Sequence, residues 1–193
     1  RSQAESMKRL DDVNINGQAV TKPGHFVTLG VRVSVKDRQR YVSRAGLKLA
    51  SVADILKLDF VEKTVLDVGS STGGFTDYAL QHGAKKVFAV DVGTEQLHPS
   101  LRRNRQIELH EKTDIRDFYS ETKPDVIVMD VSFISVRDIL PHIAKNLSNQ
   151  NTQIVVMLKP QFEAGRHQVN KGVIKNDSIR RQVLRDFEDW SRK

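Results

Sequence analysis

Five polar residues stand where apolar runs of strand length give out: Asp67 in TVLDVG, Asp91 in KVFAVDVG, Asp114 in IELHEKTD, Asp130 in PDVIVMDVSF and Lys159 in TQIVVMLKP. A carboxylate at the end of a strand accepts hydrogen bonds from a ligand's hydroxyl, amino or ammonium groups, and a lysine in the same place can hold or move a proton. Between the first two runs lies a glycine turn, LDVGSSTGGF, with Gly69, Ser70, Gly73 and Gly74 leading into Phe75. Glycines in such a turn let backbone approach a ligand closely or take a positive φ. Their spacing is neither the G-x-G-x-x-G of a dinucleotide loop nor a P-loop, which ends in lysine and a hydroxyl residue. The ligand expected here therefore lacks the phosphates that those loops cradle.

Asp91 lies 24 residues beyond Asp67, where an acid accepts from the hydroxyls of a ribose. A glycine turn plus a ribose acid, without a phosphate loop, points to S-adenosylmethionine. Asp67 and the Gly69 backbone are placed for its amino-acid end, and Asp114 for its adenine amino group. Ser70, Gly73, Gly74 and Phe75 complete the turn, and Val92 and Ile115 stand beside the two later acids. The alternative on these residues alone is a degraded dinucleotide loop or an ordinary strand–turn–helix.

Methyl transfer is the chemistry this donor brings, and the chain narrows the acceptor. It has no cysteine, so the nucleophile that carbon-5 pyrimidine transfer uses is missing. After the fourth run, DVSF carries none of the prolines typical of enzymes that methylate exocyclic amines. An oxygen acceptor needs a base instead. Lys159 closes the fifth run, partly desolvated by the strand it ends; Lys48 is a candidate neighbouring cation, and Asp130 is placed to orient both. Taken singly, Lys159 reads equally as a snorkelling lysine and Lys48 as an exposed helix residue.

These groups need a scaffold. The Val- and Ile-rich runs alternate with helix-like segments at 72–82, 94–104, 135–148 and 177–191, after a helix pattern in GLKLASVADILKL. That alternation predicts an α/β, Rossmann-like methyltransferase fold: a mostly parallel sheet with helices on both faces, and a ligand at the carboxyl ends of the strands. Ahead of it, residues 2–11 read as a helix opened by Ser2. The turn signals Asn16-Gly17 and Pro23-Gly24 separate short strands in QAVT, HFVTL and VRVSV. The resulting division is a small α+β unit at 1–36, a basic linker at 37–45 and the α/β domain at 46–193.

At 193 residues the chain can hold one good core and a small appendage, and its 38% hydrophobic and 28% charged content is that of a globular protein. No apolar stretch reaches the roughly 20 residues that span a bilayer, and RSQAESMKRL has no signal-peptide core. A cytoplasmic location is expected. The histidines (His25, His82, His98, His110, His142 and His167) show no paired ligand spacing, so no metal is expected. A net charge of +7 favours polyanion partners, nucleic acid first. Lys8, Arg9, Arg38, Arg40 and Arg44 are the candidate phosphate contacts.

The segments RYVSRAGLKLA, VLDVGSSTGGFTDYALQHGAKKVFAVDVG, DVIVMDVSFISV and LKPQFEAG, in this order, resemble the TlyA/haemolysin A family. This family comprises ribosomal RNA ribose methyltransferases with an FtsJ-like catalytic domain. SQAESMKRL and VNINGQAVTKPG resemble an RNA-binding domain first described in a small-subunit ribosomal protein. The resemblance implies S-adenosylmethionine as donor, a 2′-hydroxyl of ribosomal RNA as acceptor, and a Lys–Asp–Lys–Glu catalytic set. Lys48 in GLKL, Asp130 in VMDVSF and Lys159 in LKPQFE carry over. The fourth member is expected beyond Lys193, and Glu163, part of KPQFE, does not take its place. The rival expectations are an RNA- or ribosome-binding protein without turnover, a small-molecule O-methyltransferase, and a membrane-lytic haemolysin.

Overall fold

A computed structural model describes residues 13–20, 26–35, 40–164, 169 and 172–192. The chain divides into two compact units, 1–40 and 41–193, and the division falls inside the basic linker.

In the first unit, β1 (Val13–Ile15) and β2 (Gln18–Ala19) form an antiparallel hairpin, and β3 (Val33–Val35) pairs with the other edge of β1. The hairpin loop is Asn16-Gly17, with φ of 50° and 84°. Two successive left-handed residues give the loop a twist that matches its strands. The sequence reading misses β1, which is the central strand. It also expects a strand in HFVTL, but residues 26–29 form none, and Phe26 and Leu29 stand fully exposed without a partner strand. The expected helix over 2–11 and the Pro23-Gly24 turn lie outside the described residues.

The second unit opens with α1 (Arg44–Ala53), whose N-terminus is capped when the Ser43 side chain accepts from Ala45 N–H. There follow β4 (Thr64–Val68), α2 (Gly74–Gln81), β5 (Lys86–Val90), β6 (Ile107–His110) and β7 (Val126–Met129). After β7 come a short 3-10 turn (Val136–Asp138), α3 (Leu140–His142) and a π turn (Ile143–Leu147). β8 (Gln153–Val156), α4 (Pro160–Glu163) and α5 (Asp177–Ser191) complete the unit. The five strands are all parallel, in the order β6-β5-β4-β7-β8. The winding reverses between β4 and β7, and a ligand crevice is expected outside their carboxyl ends.

Both faces of the sheet are covered, which is why its strands are apolar throughout. Tyr41, Leu49, Phe60, Phe75 and Tyr78 pack on one face. Phe88, Phe118, Ile139, Ile143 and Leu147 pack on the other. Leu66, Ile127 and Met129 are completely buried at the centre. Truncating any of them to alanine costs about 2–5 kcal/mol, so the strands that carry Asp67 and Asp130 are held firmly.

Two expected helices are corrected. Residues 94–104 form turns: Leu97 and Leu101 do face inward as helix spacing suggests, but Pro99 lacks the N–H that a helix interior needs and biases His98 away from helical backbone. Residues 135–148 break into three short pieces around Pro141. α5 matches its expected span, with Asn176 as the N-cap. Among the described residues no helix is long and apolar enough to cross a membrane.

Candidate active site

β4 delivers the chain into the glycine turn at the switch point. Gly69 has φ 79°, and a Cβ there would come 3.1 Å from the Asp130 carbonyl oxygen. Glycine lets this turn lie against the segment leaving β7. Gly73 has φ 89° and serves as the N-cap of α2. The turn is tied to the next strand where Gly69 N–H and Ser70 N–H both donate to Val90 O, at 2.9 and 3.2 Å.

Asp67 lies inside β4 and is 1% exposed. Its Oδ2 accepts from Thr76 N–H at 2.9 Å and from the Thr76 hydroxyl at 2.7 Å. Oδ1 is buried with no hydrogen-bond partner, as is the hydroxyl of Ser70. Burial pushes the Asp67 carboxyl up to about 7; the two Thr76 bonds oppose this, and the charges of Asp130 and Asp91 add to it.

A cleft of about 460 Å³ opens beside the turn. Its lining includes Gly69 and Ser71 from the turn, Asp91, Val92 and Gly93 after β5, and Asp114 and Ile115 after β6. Asp130, Ser132 and Phe133 line it from the segment after β7. Asp91 Oδ2 accepts from Ser71 N–H at 2.8 Å and Oδ1 from Gly93 N–H at 2.7 Å. Each oxygen has a second lone pair, so the carboxylate is oriented by the backbone and still able to accept from a ligand. Asp114 differs. Arg116 grips it with its backbone N–H and with two guanidinium nitrogens at 2.9 and 2.6 Å. These bonds hold its carboxyl down at about 2, and an adenine amino group would have to share an acceptor already in use.

At Asp130, which lines the cleft, three elements bring three charged side chains together. Asp130, just past β7, forms ion pairs with Lys159 beyond β8 (Nζ to Oδ1, 2.6 Å) and with Lys48 on α1 (Nζ to Oδ2, 3.3 Å). Lys159 Nζ also donates to the Ser132 hydroxyl at 2.7 Å, and Lys48 Nζ lies 3.5 Å from Met157 Sδ. β8 stops at Val156, so Lys159 is three residues past the strand, at the N-cap of α4 rather than at the strand's end.

Of the expected donor-binding residues, Gly69, Asp91, Val92, Asp114 and Ile115 line the cleft. Asp67, Ser70, Gly73, Gly74 and Phe75 sit behind it, Phe75 in the core against α1. Among the expected phosphate contacts, Arg40 and Arg44 are exposed, and Lys8, Arg9 and Arg38 lie outside the described residues. Sequence reasoning missed Ser132 and Phe133. Phe133 is 92% exposed at the cleft edge, with a left-handed φ of 68°. DVSF was in view in the sequence, but nothing in it announces that conformation.

Known proteins resemble this chain in both sequence and fold. Residues 41–193 match the FtsJ-like methyltransferase family. The chain is 40% identical to Hemolysin A of Brachyspira hyodysenteriae, with 95% of this chain and 78% of that protein covered. It is also 40% identical to the 23S rRNA (cytidine-2′-O)-methyltransferase TlyA of Campylobacter jejuni, covering 95% of this chain and 69% of that protein. A solved structure from Streptococcus thermophilus, provisionally assigned as a hemolysin, superposes with a TM-score of 0.77 at 39% identity, over 98% of this chain and 71% of that one.

Proposed function

This chain belongs to the FtsJ-like methyltransferase family, in its TlyA/hemolysin A branch, and we propose that it methylates a ribose 2′-hydroxyl of ribosomal RNA from S-adenosylmethionine. The observation that carries this reading is the Lys48–Asp130–Lys159 cluster, whose Asp130 lines the cleft. When bound, S-adenosylmethionine supplies a methyl group on a positively charged sulfur. The residues fit such a donor: Asp91 retains lone pairs for ribose hydroxyls, and Asp67 and Ser70 keep buried polar atoms without partners behind the turn.

The protein's task is then to place the acceptor oxygen and manage its proton. Lys159, in its uncharged form, takes the 2′-hydroxyl proton as that oxygen is methylated, and the ammonium so formed is neutralised by Asp130. Lys48 adds a second positive charge that favours the developing oxyanion. A positioned base of this kind contributes about 10²–10⁴-fold. The exposed face of Phe133 suits a nucleobase splayed out of its stack. The basic residues Lys8, Arg9, Arg38, Arg40 and Arg44 are assigned to the RNA backbone, and a ribosomal acceptor implies action in the cytoplasm.

A 2′-O-methyl group removes the nucleophile of alkaline RNA cleavage. Incubation with S-adenosylmethionine and ribosomal subunits should therefore create a specific alkali-resistant position in the RNA. Tight RNA binding with no such position would favour the non-catalytic reading instead.

A further inference from the structure

We propose that Glu163 is a positioning residue whose buried carboxylate clasps the segment leaving β7 to the segment leaving β8, and so fixes Lys159 against Asp130. The inference rests on the reading of those two residues as the reacting centre.

β7 and β8 are parallel neighbours, and their ladder ends where Met157 N–H donates to Met129 O at 2.8 Å. Every catalytic group on this side lies beyond that bond. Past it, the following contacts, each made by at least one side chain, tie the two arms. Lys159 meets Asp130 and Ser132, as described, and the ring of Phe133 lies 5.3 Å from that of Phe162. Farthest out, Glu163 Oε2 accepts from the Ser135 hydroxyl at 2.6 Å and Oε1 from Val136 N–H at 2.7 Å. Arg137 Nε stands 3.9 Å from the same carboxylate.

The Glu163 side chain is 1% exposed. A carboxylate buried so deeply is costly unless donors surround it, and here two hydrogen bonds and a guanidinium do so. Phe162 N–H donates to Lys159 O at 2.9 Å, so α4 transmits the hold from Glu163 to Lys159 over a single helical turn. On the other arm, residues 130–136 are pinned at both ends, by Asp130 N–H on Val68 O at 3.1 Å and by Val136 on Glu163. Such pinning explains how Phe133 keeps a left-handed backbone, which costs on the order of 1–3 kcal/mol and persists only where its surroundings over-determine it. Arg137 extends the clasp to α5, its guanidinium 6.0 Å from the ring centre of Phe187 and 5.8 Å from that of Trp190.

Glu163→Gln preserves shape and one acceptor oxygen, and Ser135→Ala removes one bond from the opposite side. With the full chain, S-adenosylmethionine and ribosomal subunits, Glu163→Gln should lower kcat about 10- to 100-fold, the scale of a misplacement near 1 Å. Kd for S-adenosylmethionine should stay within about twofold, since neither arm's clasp touches the donor acids. The double variant should be no worse than Glu163→Gln, because both break one clasp. The side-chain resonance of Lys159, read by NMR without substrate, should move in Glu163→Gln. An unchanged kcat, or a loss spread equally over kcat and donor affinity, would overturn the proposal and leave Glu163 a purely structural cap. Should the wild type methylate no ribosomal RNA, the reaction assigned above fails. The clasp is then decided by the Lys159 resonance: a shift upholds it, and a resonance indifferent to Glu163→Gln sinks it.

Discussion

Asp67→Asn isolates the cost of keeping an acid buried at the root of the glycine turn. The wild-type carboxyl is pushed up to about 7 from an ordinary 3.8, mainly by burial. The folded protein therefore binds a proton that the unfolded chain releases between those two values, and stability falls as pH rises through that window. Each unit of separation is worth about 1.4 kcal/mol, so between pH 5 and pH 8 this one group removes about 3 kcal/mol of stability. For a chain of this size that is a fall of about 6–12 °C in Tm. Asparagine can present one oxygen to both Thr76 donors and place its amide nitrogen where Oδ1 now lacks a partner, and it does not titrate. Urea or thermal unfolding of both proteins at pH 5 and pH 8 gives a double difference in which other titrating groups cancel. The variant should gain on the wild type as pH rises. Equal pH dependence in the two proteins would show that Asp67 is hydrated or ionised at little cost, and would refute the burial argument.

Asp91→Ala removes a charged acceptor worth roughly 1.5–3 kcal/mol, so S-adenosylmethionine affinity should fall about 10- to 150-fold by calorimetry; unchanged affinity would put the ribose elsewhere. RNA affinity should drop steeply with salt, by close to one log unit per log of salt for each duplex phosphate contact. Reversing Lys8, Arg9, Arg38, Arg40 and Arg44 should flatten that slope and spare donor binding, and a salt-independent affinity would remove the polyanion argument.

The sheet was legible because a parallel strand covered on both faces has no polar alternation to disguise it, and runs such as VIVM and KVFAV say so directly. The loss of the helix at 94–104 and the fragmentation of 135–148 were not, since Pro99 and Pro141 outweighed good apolar spacing around them; nor was the end of α1 at Ala53, short of the Leu58 that the helix pattern GLKLASVADILKL reaches. β1 escaped notice because three residues, VNI, form a strand only when both neighbours supply a ladder. At the site, residue types could be read, but partnerships could not. Lys48 and Asp130 are 82 positions apart, and only the strand order brings them together. The grip of Arg116 on Asp114 is local, from two residues on. That Asp67 faces Thr76 and that Glu163 reaches back to Ser135 are instead consequences of packing across loops. No local pattern encodes them.

In the proposed reaction Lys159 handles the proton of the acceptor hydroxyl. Transfer of labelled methyl from S-adenosylmethionine to ribosomal subunits by wild type, Lys159→Ala and Lys159→Arg tests it most directly, with donor affinity measured on each. Alanine should abolish transfer while donor affinity stays nearly the same, because the lysine acts in the transition state. Arginine should fail almost as badly, since a guanidinium keeps its charge but cannot accept the proton. A fully active Lys159→Arg would contradict the account and reduce Lys159 to a fixed positive charge.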